Sequence, residues 1–204
     1  MFTLAEFSQG QQLSMQPTDE ITRRGICVAL CDDWLALIKN SYALTPEQRM
    51  KQLEVSFRAS MAQQRAYSGL RKTHGREEGR RRAGSKRGLA YEFDKTQVFR
   101  IVAGGVIERS LPEFWGTVGR DISRVNSAAT WTLRFEDGGG HAIAGYCGGE
   151  VIAVGFQLKL HIFDPNLGEY FGDYDGLNEI FSHMRASIPM YLKVDSIHRA
   201  TELS

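Results

Sequence analysis

The pattern of apolar positions changes abruptly at residue 26. From Ile26 to Ile38, the residues Ile26, Val28, Ala29, Leu30, Trp34, Leu35, Leu37 and Ile38 surround nearly the whole helical circumference, and only Asp32, Asp33 and Lys39 are clearly polar. This spacing predicts a buried central helix. Residues 1–22, rich in Gln and Ser, have no such periodicity and read as an arm that is irregular apart from a short strand or turn. A second helix is expected from Thr45-Pro46-Glu47 towards Tyr67, because threonine caps, proline suits the first turn and glutamate favours the positive end of the helix dipole. Residues 71–88, RKTHGREEGRRRAGSKRG, are basic and glycine-spaced with almost no apolar positions, which predicts a mobile loop between a helical half and a strand-rich half.

Beyond that loop the period shortens to two. Val98–Val102 and Thr130–Phe135 read as strands, the latter half-buried because Thr132 and Arg134 alternate with Trp131, Leu133 and Phe135; Pro112–Val125 reads as a helix or two short turns. The next segments are expected to be a turn at Glu136–Gly140, a strand at His141–Tyr146, a second turn at Cys147–Glu150 and a longer strand at Val154–Phe163. A short helix at Gly176–Ala186 and a last strand at Met190–Val194 complete the prediction. Helices first and an antiparallel meander second make an α+β domain, with a central N-terminal helix packed on an antiparallel β-sheet. The 204 residues are read as a single domain.

Composition narrows the function. The net charge of +1, from 25 Lys and Arg against 24 Asp and Glu, gives no global field for nucleic acid or membrane, so electrostatic recruitment has to come from a local cluster. Three cysteines, two of them four apart, do not make a disulfide framework and suit a reducing compartment. The amino end lacks the basic and long apolar regions of a secretory signal, and no apolar run reaches membrane-spanning length.

Three residues carry candidate chemistry. Cys27 opens the central helix, where unpaired backbone amides and the positive dipole end favour thiolate over thiol and can donate to an oxyanion; Gly25 permits a tight approach just before it. Cys31, one turn deeper, reads as a core thiol. His141 follows three glycines at the start of an apolar strand and is a better imidazole partner than His74, His161, His183 or His198, which lie in the basic loop, along a strand, on a surface helix and in the tail. Asp164 ends the neighbouring strand and Pro165 stops it, which holds a carboxylate beside the histidine strand.

The blocks Gly-x-Cys-x-x-Leu-x-x-x-Trp-Leu from Gly25, Gly-His-Ala-Ile-Ala from Gly140 and Phe-Asp-Pro-Asn-x-Gly-Glu-Tyr-Phe from Phe163 together resemble the YopT/AvrPphB family of papain-like effector cysteine proteases. The resemblance runs from Gly25 to about Tyr191. It implies a papain-like fold, Cys27 as nucleophile, His141 as general base and acid, Asp164 as the orienting carboxylate, no cofactor or metal, and cleavage of a peptide bond in a protein of a host or target cell. It also implies export by a dedicated bacterial secretion system without a cleavable signal; a chaperone or inhibitor as a further partner is left open. Two departures stand out. Ile21 and Thr22 occupy the places where papain-like enzymes supply an Asn or Gln to the oxyanion hole, leaving Gln16 as the candidate, with Gln12 nearby. His141 and Asp164 are 23 residues apart, a long spacing whose extra residues fall in the glycine-rich turn around Cys147–Gly155.

Other classes remain in view. The same three residues would serve a papain-fold amide hydrolase, deamidase or acyltransferase toxin, such as a peptidoglycan amidase, because they report the reaction and not the substrate. Arg80, Arg81, Arg82, Lys86 and Arg87 could dock on an anionic membrane or acidic partner, although a charge run is more often a solvated face. A nucleic-acid-binding module is disfavoured, since no aromatics interleave with the basic residues to make a stacking platform.

Overall fold

The computed structural model describes residues 1–93, 99–100, 116, 118–135, 137–153 and 155–203. Along the chain, strand β1 (Phe2–Glu6) is followed by helices α1 (Gln9–Ser14), α2 (Glu20–Arg23), α3 (Cys27–Asn40), α4 (Pro46–Val55), α5 (Phe57–His74) and α6 (Arg76–Ser85). Strands β2 (Tyr91–Phe93), β3 (Phe99–Arg100), β4 (Ala128–Phe135), β5 (Gly140–Ile152), β6 (Gly155–Asp164) and β7 (Gly168–Asp173) follow, then helix α7 (Leu177–Ser187) and strand β8 (Val194–Glu202). Most of the expected strand at 98–102, and of the expected helix at 112–125 before residue 118, lies outside the described residues; 118–121 are helical.

The apolar circumference of α3 is used as the spacing requires. Leu30, Trp34, Leu35 and Ile38 are fully buried, in a core shared with α4, α5 and the Ala142, Ala144 and Phe163 face of the sheet. A second core lies on the opposite face, where Trp131, Leu133, Ile143 and Ile162 pack against Ile180, Phe181 and Met184 of α7. Two-residue alternation along β4 to β6 therefore fills both faces, which gives a mixed helix and antiparallel-sheet fold. The strand order is β1-β7-β6-β5-β4-β8-β2, with β3 also on β8, and every pairing among the described residues is antiparallel.

Several expectations are corrected. The arm at 1–22 holds the short strand allowed for, β1, which pairs on β7 with Phe2 opposite Gly172 and Glu6 opposite Gly168, but also two short helices where irregular chain was expected. The second helix begins at Thr45 with a reciprocal capping box to Gln48, but it breaks at Ser56 and resumes as α5. Residues Cys147–Glu150 are not a turn: β5 runs through them, and Gly148 lies so close beneath the Tyr42 ring that a Cβ would fall 2.1 Å from its hydroxyl. The extra length between His141 and Asp164 thus extends a hairpin. The last strand lies after Met190–Val194, at Val194–Glu202, preceded by a 3-10 turn at Pro189–Lys193.

The largest correction concerns 71–88. These residues complete α5 and form α6, and Arg80, Ala83 and Leu89 are buried. What anchors them is charge inside the core: Arg80 meets Asp32 of α3 at 2.7 Å, and Arg87 meets Asp33 at 2.6 Å. Apolar periodicity could not reveal a segment whose inward face is basic. The proposed membrane-docking set is accordingly split, with Arg80 and Arg87 turned inwards while Arg81, Arg82 and Lys86 face solvent. Arg82 is further engaged with Glu78 at 2.7 Å.

Candidate active site

Cys27 is the first residue of α3 and is half-buried. Its helix has no side-chain cap, since the capping position is the buried Ile26. Glutamines do that work from elsewhere in the fold: Gln9 Oε1 accepts from the Ile26 amide at 3.0 Å, and Gln64 Oε1 of α5 accepts from the Ala29 amide at 3.1 Å. Among the described residues the Cys27 and Val28 amides have no acceptor, so two donors at the positive end of the helix remain available beside the sulfur. Gly25, at φ 103°, turns the chain into this helix in a conformation that side chains resist.

His141 is the second residue of β5 and Asp164 the last of β6. Antiparallel pairing of Ala144 with Phe163 brings both to the same end of the sheet, and two-residue alternation puts them on the same face. His141 Nε2 lies 2.8 Å from Asp164 Oδ1, and both side chains are buried. With Nε2 engaged, Nδ1 is the nitrogen left for Cys27. Burial by itself would push the imidazole pKa down; the charge of Asp164, the hydrogen bond to it, and the interaction with Cys27 reverse this and hold it up at about 10.

Asp164 is held from three directions. Asn166 donates its amide to Oδ1 at 2.8 Å, His141 shares that oxygen, and Tyr191 donates its hydroxyl to Oδ2. The turn after Asp164 is locked to the amino-terminal arm, with the Gln9 amide donating to Pro165 O at 2.7 Å and Gln9 Nε2 donating to Asn166 Oδ1 at 2.7 Å. Gly168 lets this happen, because a Cβ there would lie 2.0 Å from Ala5 O. Gln9 consequently ties the start of α3 to the turn that carries the carboxylate.

Gln16 is elsewhere. Its Oε1 accepts from Arg58 Nε at 2.8 Å, away from the residues that line the cleft around Cys27. Thr22 is buried and used in a reciprocal cap with Asp19. The amide side chains beside the helix start are those of Gln9 and Gln64, and no local pattern singles them or Tyr191 out, since all three reach the site across the fold. Of the other histidines, His161 is buried against Glu169 at 2.8 Å, in a network where Glu169 also accepts from Arg49 Nε at 2.9 Å and Trp34 Nε1 at 2.8 Å. Trp34, expected as packing, stacks on Phe163 as well. His198 lies in β8 and not in a tail. Cys31 is fully buried, and burial lifts its thiol well above the ordinary range; Cys147 is lifted to about 11 by the same cause.

Cys27 and His141 line a cleft of about 560 Å³ with residues from α2, α5, α6 and β4. The profile of the peptidase family C58, described as Yersinia/Haemophilus virulence surface antigen, matches residues 3–174. The chain belongs to this family. It is therefore a cysteine peptidase, a hydrolase of the virulence-effector type, whose substrate is a protein. Among solved structures it is similar to the Pseudomonas avirulence protein AvrPphB, with 19% identity and a TM-score of 0.65 over 95% of this chain and 100% of that one, which shows the papain-like fold. No curated protein sequence matches. No described helix is long and apolar enough to cross a membrane.

Proposed function

We propose that this peptidase is a thiol endopeptidase in which Cys27, His141 and Asp164 act together. The observation that carries the reading is the His141 imidazole, bonded through Nε2 to a buried carboxylate and lining the same cleft as a thiol at a helix start without a side-chain cap. The Cys27 thiolate attacks the scissile carbonyl carbon, and the oxyanion accepts from the Cys27 amide and its neighbour. His141 Nδ1–H then gives its proton to the leaving amine, which departs and leaves a thioester on Cys27. Neutral His141 next takes a proton from water, whose oxygen attacks the thioester; collapse releases the acid and restores the thiolate–imidazolium pair. Asp164 keeps the ring in the tautomer and orientation that both steps need. We further infer delivery by a bacterial secretion system into a reducing host cytosol, where the three free thiols persist.

The test is identification by mass spectrometry of new protein termini in target cells expressing wild type or Cys27→Ala. Termini present only with wild type are expected; the same termini with both would overturn the reading. In the folded protein, iodoacetamide near neutral pH should label Cys27 well before Cys31 or Cys147, whose thiols burial keeps protonated.

A further inference from the structure

The cleft around Cys27 and His141 is basic on one wall. Arg24, Arg71, Lys72 and Arg76 line it, and among the described residues Glu20 is the one acidic lining residue. Glu20 is already engaged with Arg24 at 2.6 Å. Among the described residues no carboxylate pairs with Arg71, Lys72 or Arg76. Arg71 and Lys72 end α5, a place that the helix dipole favours for cations whatever their function.

Arg76 has no such explanation. It sits in the first turn of α6, where a cation opposes the dipole, and it is half-buried. Loss of water, then the charges of Arg71 and Arg134, push its pKa down. Its side chain also borders an adjoining cavity of about 380 Å³ that Arg134, Arg199, His198 and Glu77 line. Arg134 stands opposite Gly140 in the β4–β5 ladder, one residue from His141. Arg71 and Arg76 thus line the cleft while Arg134 lines the cavity beside it, where Glu77 is the one carboxylate among the described residues and cations outnumber it; departures of this kind from local consistency concentrate at functional sites.

We propose that Arg71, Arg76 and Arg134, with Lys72 at the rim, form a subsite for an aspartate or glutamate side chain of the substrate close to the scissile bond. The subsite makes the enzyme selective for acidic segments of its target. It rests on the protease reading above and deepens it. A carboxylate there accepts paired N–H donors from a guanidinium fork and relieves the repulsion, in a cleft that steers anionic chains towards the thiolate.

The test has two readouts. Digestion of a proteome-derived peptide library should show Asp or Glu enriched at one position near the Cys27-dependent cuts. Changing that acid to its amide in a synthetic peptide should lower kcat/KM about tenfold or more for wild type and far less for Arg71→Gln/Arg76→Gln. Cys27-dependent cuts without acidic enrichment, or an unchanged acid-to-amide ratio in the variant, would overturn the subsite. The second readout needs no cleavage: the rate of Cys27 alkylation by anionic iodoacetate relative to neutral iodoacetamide should fall several-fold in the variant and in high salt. Equal ratios would sink the subsite, whereas a retained preference without any cleavage would leave the subsite and remove the protease reading.

Discussion

Replacing Arg80 with alanine tests the energetic basis of the helical half. Arg80 donates to Asp32 with both terminal nitrogens, at 2.7 and 3.0 Å, to Val28 O at 3.2 Å and to Thr130 Oγ1 at 3.3 Å, and its guanidinium lies 5.0 Å from the Tyr91 ring centre. Truncation leaves the Asp32 carboxylate buried with only the Tyr91 hydroxyl at 2.5 Å and Arg87 at 3.8 Å. Breaking such a pair from one side costs about 3–5 kcal/mol, against roughly 0–1 for an exposed arginine. Burial already raises the Asp32 pKa while Arg80 and Arg87 hold it back, so losing Arg80 raises it further. The sign follows: a carboxyl that folding makes more basic takes up a proton on folding, and stability falls as pH rises from the unfolded value towards the folded one, by about 1.4 kcal/mol per pH unit. Urea unfolding should therefore show a larger loss at about pH 8 than at about pH 5. Asp32→Leu/Arg80→Met, which removes both charges, should recover most of the loss. A loss under about 1 kcal/mol at the higher pH would mean that Arg80 behaves as an exposed residue and would refute the buried anchor.

Asp164→Asn should move the alkaline limb of kcat/KM towards neutrality. His141 is protonated in wild type up to about 10, so the stability its pairing confers is present below its ordinary 6.5 and is lost as pH rises through about 10. An alkaline limb that does not move would exclude Asp164 as the group that holds the charge. Tyr191→Phe removes a donor to the same carboxylate and should cost about 1–2 kcal/mol of stability and roughly tenfold in kcat/KM; wild-type values for both in the purified variant would show that the hydroxyl is idle. Gln9→Ala should loosen α3 from the Asp164 turn, visible as faster amide hydrogen exchange at Ile26, and unaltered exchange there would contradict the tie.

The sequence alone determined what local periodicity and punctuation encode. The all-round apolar run of α3, the Thr45 cap, the alternation of β4 and the strand ends at His141 and Asp164 each depend on residues a few positions apart, and each is present in the fold. The resemblance to effector cysteine proteases came from three such short blocks, which the family match over residues 3–174 supports. Tertiary structure decided everything whose partner lies far along the chain. The 71–88 segment looked uncompensated because its counter-charges, Asp32 and Asp33, sit on another helix. Cys147–Glu150 looked like a turn because the aromatic ring that needs the glycine comes from Tyr42. Gln9 and Tyr191 reach the candidate site from opposite ends of the chain, and Arg71 and Arg76 reach its cleft from two helices beside a cavity that Arg134 lines from a strand. Hydrogen bonds and charges act over a few ångströms of space and are blind to separation along the chain, so only the folded arrangement shows which of them meet.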